Sequence, residues 1–250
     1  MLNTILHGEP GEAPPLLIAH GLFGSARNWG VIAKRLSDAR QVISVDMRNH
    51  GGSFHADSHS YDDLAGDLAE VIDAHGGRAD VLGHSMGGKA AMMLALTRPD
   101  RVRRLVVADM APTVSPGDQS GPLAAMKAVD LNAVETRADA GKQMDVDPGV
   151  AAFLLQSLDL KNRRWLLNLD TLEREMDAIM GWSDPDGQFD GPALFLRGET
   201  SDYVPDSARP AIVARFPDAR IDTIADAGHW LHADQPRAVE AAIRDFLDKT

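Results

Sequence analysis

The sequence predicts an α/β fold: a mostly parallel central sheet flanked by helices. Three observations carry that reading. Short apolar runs alternate with amphipathic stretches, the rhythm of strands joined by helical crossovers. Several runs stop at polar or charged residues, as at His20-Gly21, Asp46 and Asp109, where open parallel sheets gather their reacting groups. Finally, Gly83-His84-Ser85-Met86-Gly87 stands between the apolar Val81-Leu82 and an alanine-rich stretch ending at Leu96, so it joins a strand to a helix.

The elements follow in order. Residues 15–19, 41–46, 79–82, 105–108, 193–196 and 219–225 are apolar runs of strand length, and residues 2–6 add an edge strand. Tyr61, Leu64, Ala65, Leu68, Val71 and Ile72 repeat at helical spacing and form one buried stripe. Ser60 and Asp63 form a capping pair ahead of it, and Asp62 and Asp63 favour that end of the helix dipole. Val239, Ile243, Phe246 and Leu247 form the buried stripe of a last helix near 238–247.

Between 111 and 191 the rhythm changes. Pro112, Pro116, Gly117, Gly121 and Pro122 open this interval, and helical stretches follow near 122–129, 150–158 and 165–180 with no strand-like run. Residues 112–190 are expected to form a helical cap inserted after the sixth strand, with 1–111 and 191–250 as the core. Trp165, Ile179 and Trp182 are expected either to wall a pocket beneath it or to form the core of the cap itself.

Composition narrows the function classes. A formal net charge of −12 over 250 residues argues against nucleic acid or anionic membrane as the main partner. No apolar run approaches the ~20 residues of a membrane span, so no membrane insertion is expected. The N-terminus lacks a basic start followed by an apolar core, so no secretory signal is expected. The chain has no cysteine, which excludes disulfides, thiolate metal sites and a cysteine nucleophile. A cytoplasmic location is expected, as a monomer or homodimer.

The candidate chemistry centres on Ser85. A serine on so tight a turn is held in a strained conformation, and its flanking glycines give the backbone room. A serine hydroxyl needs a neighbouring base. His229 suits that role: it lies in Asp226-Ala-Gly-His-Trp230, just past the last strand, in the order nucleophile then histidine. With His232 it also makes an H-x-x-H pair, but no third ligand motif accompanies it, so no metal is expected. His20 and His84 are expected to support backbone, and His55 and His59 to lie in a polar loop. For the carboxylate that orients the base, Asp109 at a strand tip competes with Asp202 in the loop after residues 193–196. The usual spacing of that loop puts the acid on Ser201, and Asp109 is preferred. Backbone donors for an oxyanion are expected from Met86 and from Leu22, with Phe23 as the alternative to Leu22.

On these residues the chain resembles the α/β-hydrolase superfamily nearly end to end. Its segments 20–25, 45–51, 83–90, 108–112 and 228–233 are similar to those of the small YbfF-type esterases. The resemblance implies a core sheet with a helical cap and places the acid at Asp109. It also implies hydrolysis of carboxylic esters or acyl thioesters without a cofactor, the substrate being a small acyl ester or thioester. Competing readings are carbon–carbon bond hydrolysis or peroxide-dependent chemistry on the same fold, and a receptor-like protein that retains the three side chains but only binds.

Overall fold

Each apolar run foreseen in the sequence forms a strand of one sheet in the computed structural model, which describes residues 1–248. The strands are β1 (Asn3–His7), β2 (Leu16–Ala19), β3 (Val42–Asp46), β4 (Ala79–His84), β5 (Val102–Ala108), β8 (Ala193–Gly198) and β9 (Ala219–Ile224), with the intervening β6 (Leu158–Asp159) and β7 (Arg164–Trp165) apart from it. They line up as β1-β3-β2-β4-β5-β8-β9. Only β1 runs antiparallel, on β3; the remaining neighbours are parallel.

Alternation along the strands divides the core in two, because successive side chains point to opposite faces. Leu17, Ile43, Val81, Leu105, Val107 and Phe195 face one side, where α2 (Tyr61–Ala74) and α3 (Met86–Thr97) pack. Leu16, Ile18, Leu82, Val106, Leu194 and Leu196 face the other, against α1 (Gly30–Leu36) and α11 (Pro236–Asp248). The stripe foreseen for α11 is the one buried, and Ser60 caps α2 by accepting the Asp63 N–H at 3.2 Å. From Met86 to Leu96 every residue of α3 is buried, which explains a composition apolar on all sides.

The segment between β5 and β8 holds α4 (Ser120–Ala128), α5 (Arg137–Lys142), α6 (Pro148–Leu154), α7 (Leu169–Arg174) and α8 (Met176–Met180). Two expectations need correcting. The segment leaves the fifth strand in chain order, since only β1 to β5 precede it, rather than a sixth. It is also not free of strands: β6 and β7 form a two-stranded antiparallel ribbon between the helical stretches expected near 150–158 and 165–180. Paired stretches of two residues are too short to leave a period-2 signal. The ribbon is pinned to the core where the Gly51 N–H donates to Leu166 O at 2.7 Å. The segment has its own helix caps, Thr136 for α5 and Asp147 for α6. The remaining helices α9 (Arg209–Arg215) and α10 (Leu231–Asp234) sit after β8 and β9. No helix among the described residues is long and apolar enough to cross a membrane.

At the start of β4 a buried charge cluster braces the sheet. The fully buried Asp80 accepts from Arg40 Nη1 at 2.9 Å and from Arg103 Nε at 2.7 Å, and Arg40 also reaches Asp248 at 2.6 Å. Removing one partner from a buried pair leaves the other charge uncompensated. Asp80→Asn is therefore expected to cost about 3–5 kcal/mol and to lower the thermal midpoint by roughly 10 °C. Calorimetry of the variant checks this.

Candidate active site

The reacting edge is marked by backbone strain. Phe23, Asn49, Ser85, Asp109 and Asp226 all have positive φ, between 49° and 64°, and each lies just past the C-terminal end of a sheet strand. Non-glycine residues in this region persist only where their surroundings impose it. At Ser85 (φ 54°, ψ −120°) the surroundings are the close approach of α3 to β4 and β2. A Cβ added to Gly83 would stand 2.1 Å from Gly87 O, and one on Gly87 would stand 2.5 Å from Ala19 O. Only glycine fits at either place.

Three side chains from three strand ends meet here. Ser85 Oγ lies 2.9 Å from His229 Nε2, and His229 Nδ1 lies 2.7 Å from Asp109 Oδ2. Asp109 is fully buried, and its Oδ1 accepts the Gly198 N–H at 2.8 Å. An ionised carboxylate only accepts, so it fixes the Nδ1–H tautomer and leaves Nε2 free to take the serine proton. Asp202 is exposed, and it is not among the partners of His229. Its neighbour Ser201, where the usual spacing places the acid, donates its hydroxyl to Asp109 Oδ2 instead. The sequence gives no sign of that bond, because Ser201 and Asp109 are 92 positions apart.

The expected oxyanion donors separate as well. Met86 supplies the first N–H of α3, which no helix satisfies internally. The Phe23 amide is already taken, donating to His50 Nε2 at 3.2 Å. The Phe23 carbonyl is held from the other side by the Ser157 hydroxyl at 3.2 Å. Among the described residues no backbone acceptor takes the Leu22 amide. Leu22 and Met86 both line the cavity beside Ser85.

His50 is the functional neighbour that sequence reasoning missed, although it lies in the quoted segment 45–51. It is fully buried; its Nδ1 donates to Arg48 O at 2.9 Å and its Nε2 holds the Phe23 amide. His20 works similarly, donating from Nδ1 to Gly21 O and accepting the Met47 N–H at 3.0 Å. His84 donates to His229 O at 2.9 Å, so both histidines support backbone as expected. His59 lies in the expected loop, but its side chain is buried, with its ring 3.2 Å from Met86 Sδ. His232 stacks on Trp29, and among the described residues no group of three side chains could hold a metal.

A cavity of about 450 Å³ lies between the strand ends and the inserted segment. Ser85 and His229 open into it, and the segment contributes Pro122, Val150, Phe153, Leu154, Ile179 and Met180. Of the two roles open to Trp165, Ile179 and Trp182, only Ile179 takes the wall, and the tryptophans take packing positions. Trp165 is buried inside the segment with its indole N–H on Met126 O at 3.1 Å, and Trp182 packs against Tyr61. An indole supplies much area for a small core, which outweighs a place at the cavity. The wall that Ile179 does form is anchored from the core. The Tyr61 hydroxyl donates to Ile179 O at 2.5 Å, and Lys89 Nζ donates to Met180 O, Gly181 O and Ser115 Oγ. Burial pushes the Lys89 ammonium down to about 7, while these three acceptors satisfy its donors.

This fold and site define a class. The chain matches the alpha/beta hydrolase family over residues 16–242, and it belongs to that family. Within the family it groups with the YbfF-type esterases. It is 40% identical to the esterase YbfF of Escherichia coli over 241 residues, 94% of this chain and 93% of that protein. It is 42% identical to the sn-1-specific diacylglycerol lipase ABHD11 of Mus musculus over 258 residues, 98% of this chain and 84% of that protein. A solved structure of a marine microorganism esterase superimposes with a TM-score of 0.92 at 39% identity, covering 98% of both chains.

The buried histidines give the site a pH signature. Burial holds His20 below its usual 6.5, His50 and His84 well below it, His59 at about 3 and His232 at about 4. Below 6.5 the unfolded chain binds protons that the folded chain refuses, so the stabilisation is complete above 6.5 and is lost as pH falls from there. Urea unfolding is expected to show stability dropping steeply from pH 6.5 to pH 4. His59→Gln should flatten that slope by about 1.4 kcal/mol per pH unit.

Proposed function

We propose that the protein hydrolyses carboxylic esters, thioesters included, with Ser85 as nucleophile, His229 as base and then acid, and Asp109 as the carboxylate that orients it. The observation that carries this is the unbroken line of hydrogen bonds from Ser85 Oγ through both nitrogens of His229 to Asp109. The names of the relatives, esterases and a lipase, agree with it.

Each step uses a group already in place. Ser85 Oγ attacks the acyl carbonyl while His229 Nε2 takes its proton. The carbonyl oxygen becomes an oxyanion, which the Leu22 and Met86 amides receive. Asp109 stays ionised and stabilises the imidazolium; the Gly198 amide and the Ser201 hydroxyl hold it in orientation. The tetrahedral intermediate expels the alcohol or thiol, which takes the proton from His229, and Ser85 keeps the acyl group. Water then attacks that acyl-enzyme by the same route in reverse. No cofactor enters this scheme.

The inserted segment, residues 112–190, acts in this reading as a cap that supplies the apolar wall. A cavity of about 450 Å³ suits a small acyl ester with an apolar acyl chain. Such a wall grades chain length weakly, at about 1–3 kcal/mol per methylene.

p-Nitrophenyl acyl esters of graded length test the proposal. The native protein is expected to turn them over through a burst and a steady phase, and Ser85→Ala to lose activity about 10⁴-fold or more. Absent turnover, or turnover that survives in Ser85→Ala, would overturn the assignment. Asp109→Asn is expected to lower kcat about 10³–10⁴-fold, whereas Asp202→Asn stays within about twofold, as exposed substitutions away from the chemistry do; steady-state kinetics of the pair check the ranking.

A further inference from the structure

Two hydrogen bonds leave the His229 ring one unrestrained motion. Asp109 holds it at Nδ1, 2.7 Å away, and Ser85 meets it at Nε2, 2.9 Å away. They define an axis about which the imidazole can still tilt. A tilt lengthens neither bond much at first but turns the Nε2 lone pair away from the serine proton.

Tyr203 occupies the space that such a tilt requires. Its ring lies on the imidazole face with centroids 3.7 Å apart and 17° between planes. The backbone holds it there: the Tyr203 N–H donates to Ser201 Oγ at 3.3 Å, and that same hydroxyl bonds Asp109. Tyr203 and Gln119 both line the cavity. The His84 ring also stands beside His229, with centroids 4.9 Å apart and 38° between planes. That arrangement is much less parallel than the tyrosine's.

We propose that Tyr203 is a positioning residue for the base: its ring keeps the His229 imidazole from tilting about the Asp109–Ser85 line and faces the imidazolium formed during transfer. Gln119, at the start of α4 in the inserted segment, stands in the same cavity lining as that ring. A tyrosine face attracts a cation at this range, and the attraction grows where water is excluded. The restraint acts on the chemical step rather than on substrate binding. This inference rests on the hydrolytic reading above.

Three variants and two readouts test it. Tyr203→Leu keeps apolar bulk and removes the ring; it is expected to lower kcat about tenfold while KM stays within about threefold. Tyr203→Phe keeps the ring and loses only the hydroxyl, and it is expected to recover kcat to within about threefold of the native protein. Tyr203→Met serves as a second ring-free variant should the leucine variant not fold. The second readout needs no turnover: in a Ser85→Ala background, the low-field proton resonance of the His229 Nδ1–H bond to Asp109 is recorded with and without the ring. It is expected to broaden in the ring-free variant and stay sharp with phenylalanine. An unchanged kcat and an unchanged resonance in the ring-free variant overturn the proposal, as does a phenylalanine variant that falls as far as leucine. A native protein that hydrolyses no ester defeats the hydrolytic reading instead, and the resonance still decides on Tyr203.

Discussion

The structure depends on one backbone conformation, the left-handed serine at the turn from β4 into α3. That turn lifts Ser85 Oγ to the sheet edge and makes Met86 the first residue of a helix, so a hydroxyl and a first-turn amide face the cavity together. It holds only because the chain comes within contact of itself. Gly83 packs against the Gly87 carbonyl and Gly87 against the end of β2, so any side chain at either position would force the strand and helix apart. The fully buried α3, locked between the sheet and α2, supplies the packing that opposes relaxation of the strain.

A second constraint governs charge. The edge holds several imidazoles at close quarters, and two protonated rings so near each other would repel strongly. Burial resolves this by keeping His20, His50, His59, His84 and His232 neutral. Most then serve as hydrogen-bonding struts, and His50 in particular withdraws the Phe23 amide into the framework. Among these rings only His229 has a carboxylate on its Nδ1, the partner an imidazolium needs. The same logic appears at Lys89, whose ammonium is buried among three neutral oxygens and grips the end of α8. The cavity wall is thus fastened to the helix that follows Ser85.

Much of this was legible in the sequence, and for a common reason. Strand alternation, the helical stripes of α2 and α11 and the Ser60 cap are local patterns, set by residues within a few positions of one another. The glycine-flanked serine is local too, because the strain belongs to the turn itself. Chain order and the position of His229 after the last strand then sufficed to pair Ser85 with that histidine as a candidate. The inserted segment was read less well. Its helices show roughly in the periodicity, but the β6–β7 ribbon leaves no pattern, and nothing local tells whether Trp165 and Trp182 wall the cavity or pack inside.

The sequence by itself determined the order of elements, the two faces of the sheet and the turn that strains Ser85, since each follows from spacing over fewer than a dozen residues. Only the tertiary structure decided what reaches across long separations. It put Asp109 rather than Asp202 on His229, turned Ser201 toward Asp109 and left the Leu22 amide open while His50 closed off Phe23. Those outcomes hang on where separate strand ends come to rest in the packed core, which adjacent positions in the chain cannot reveal.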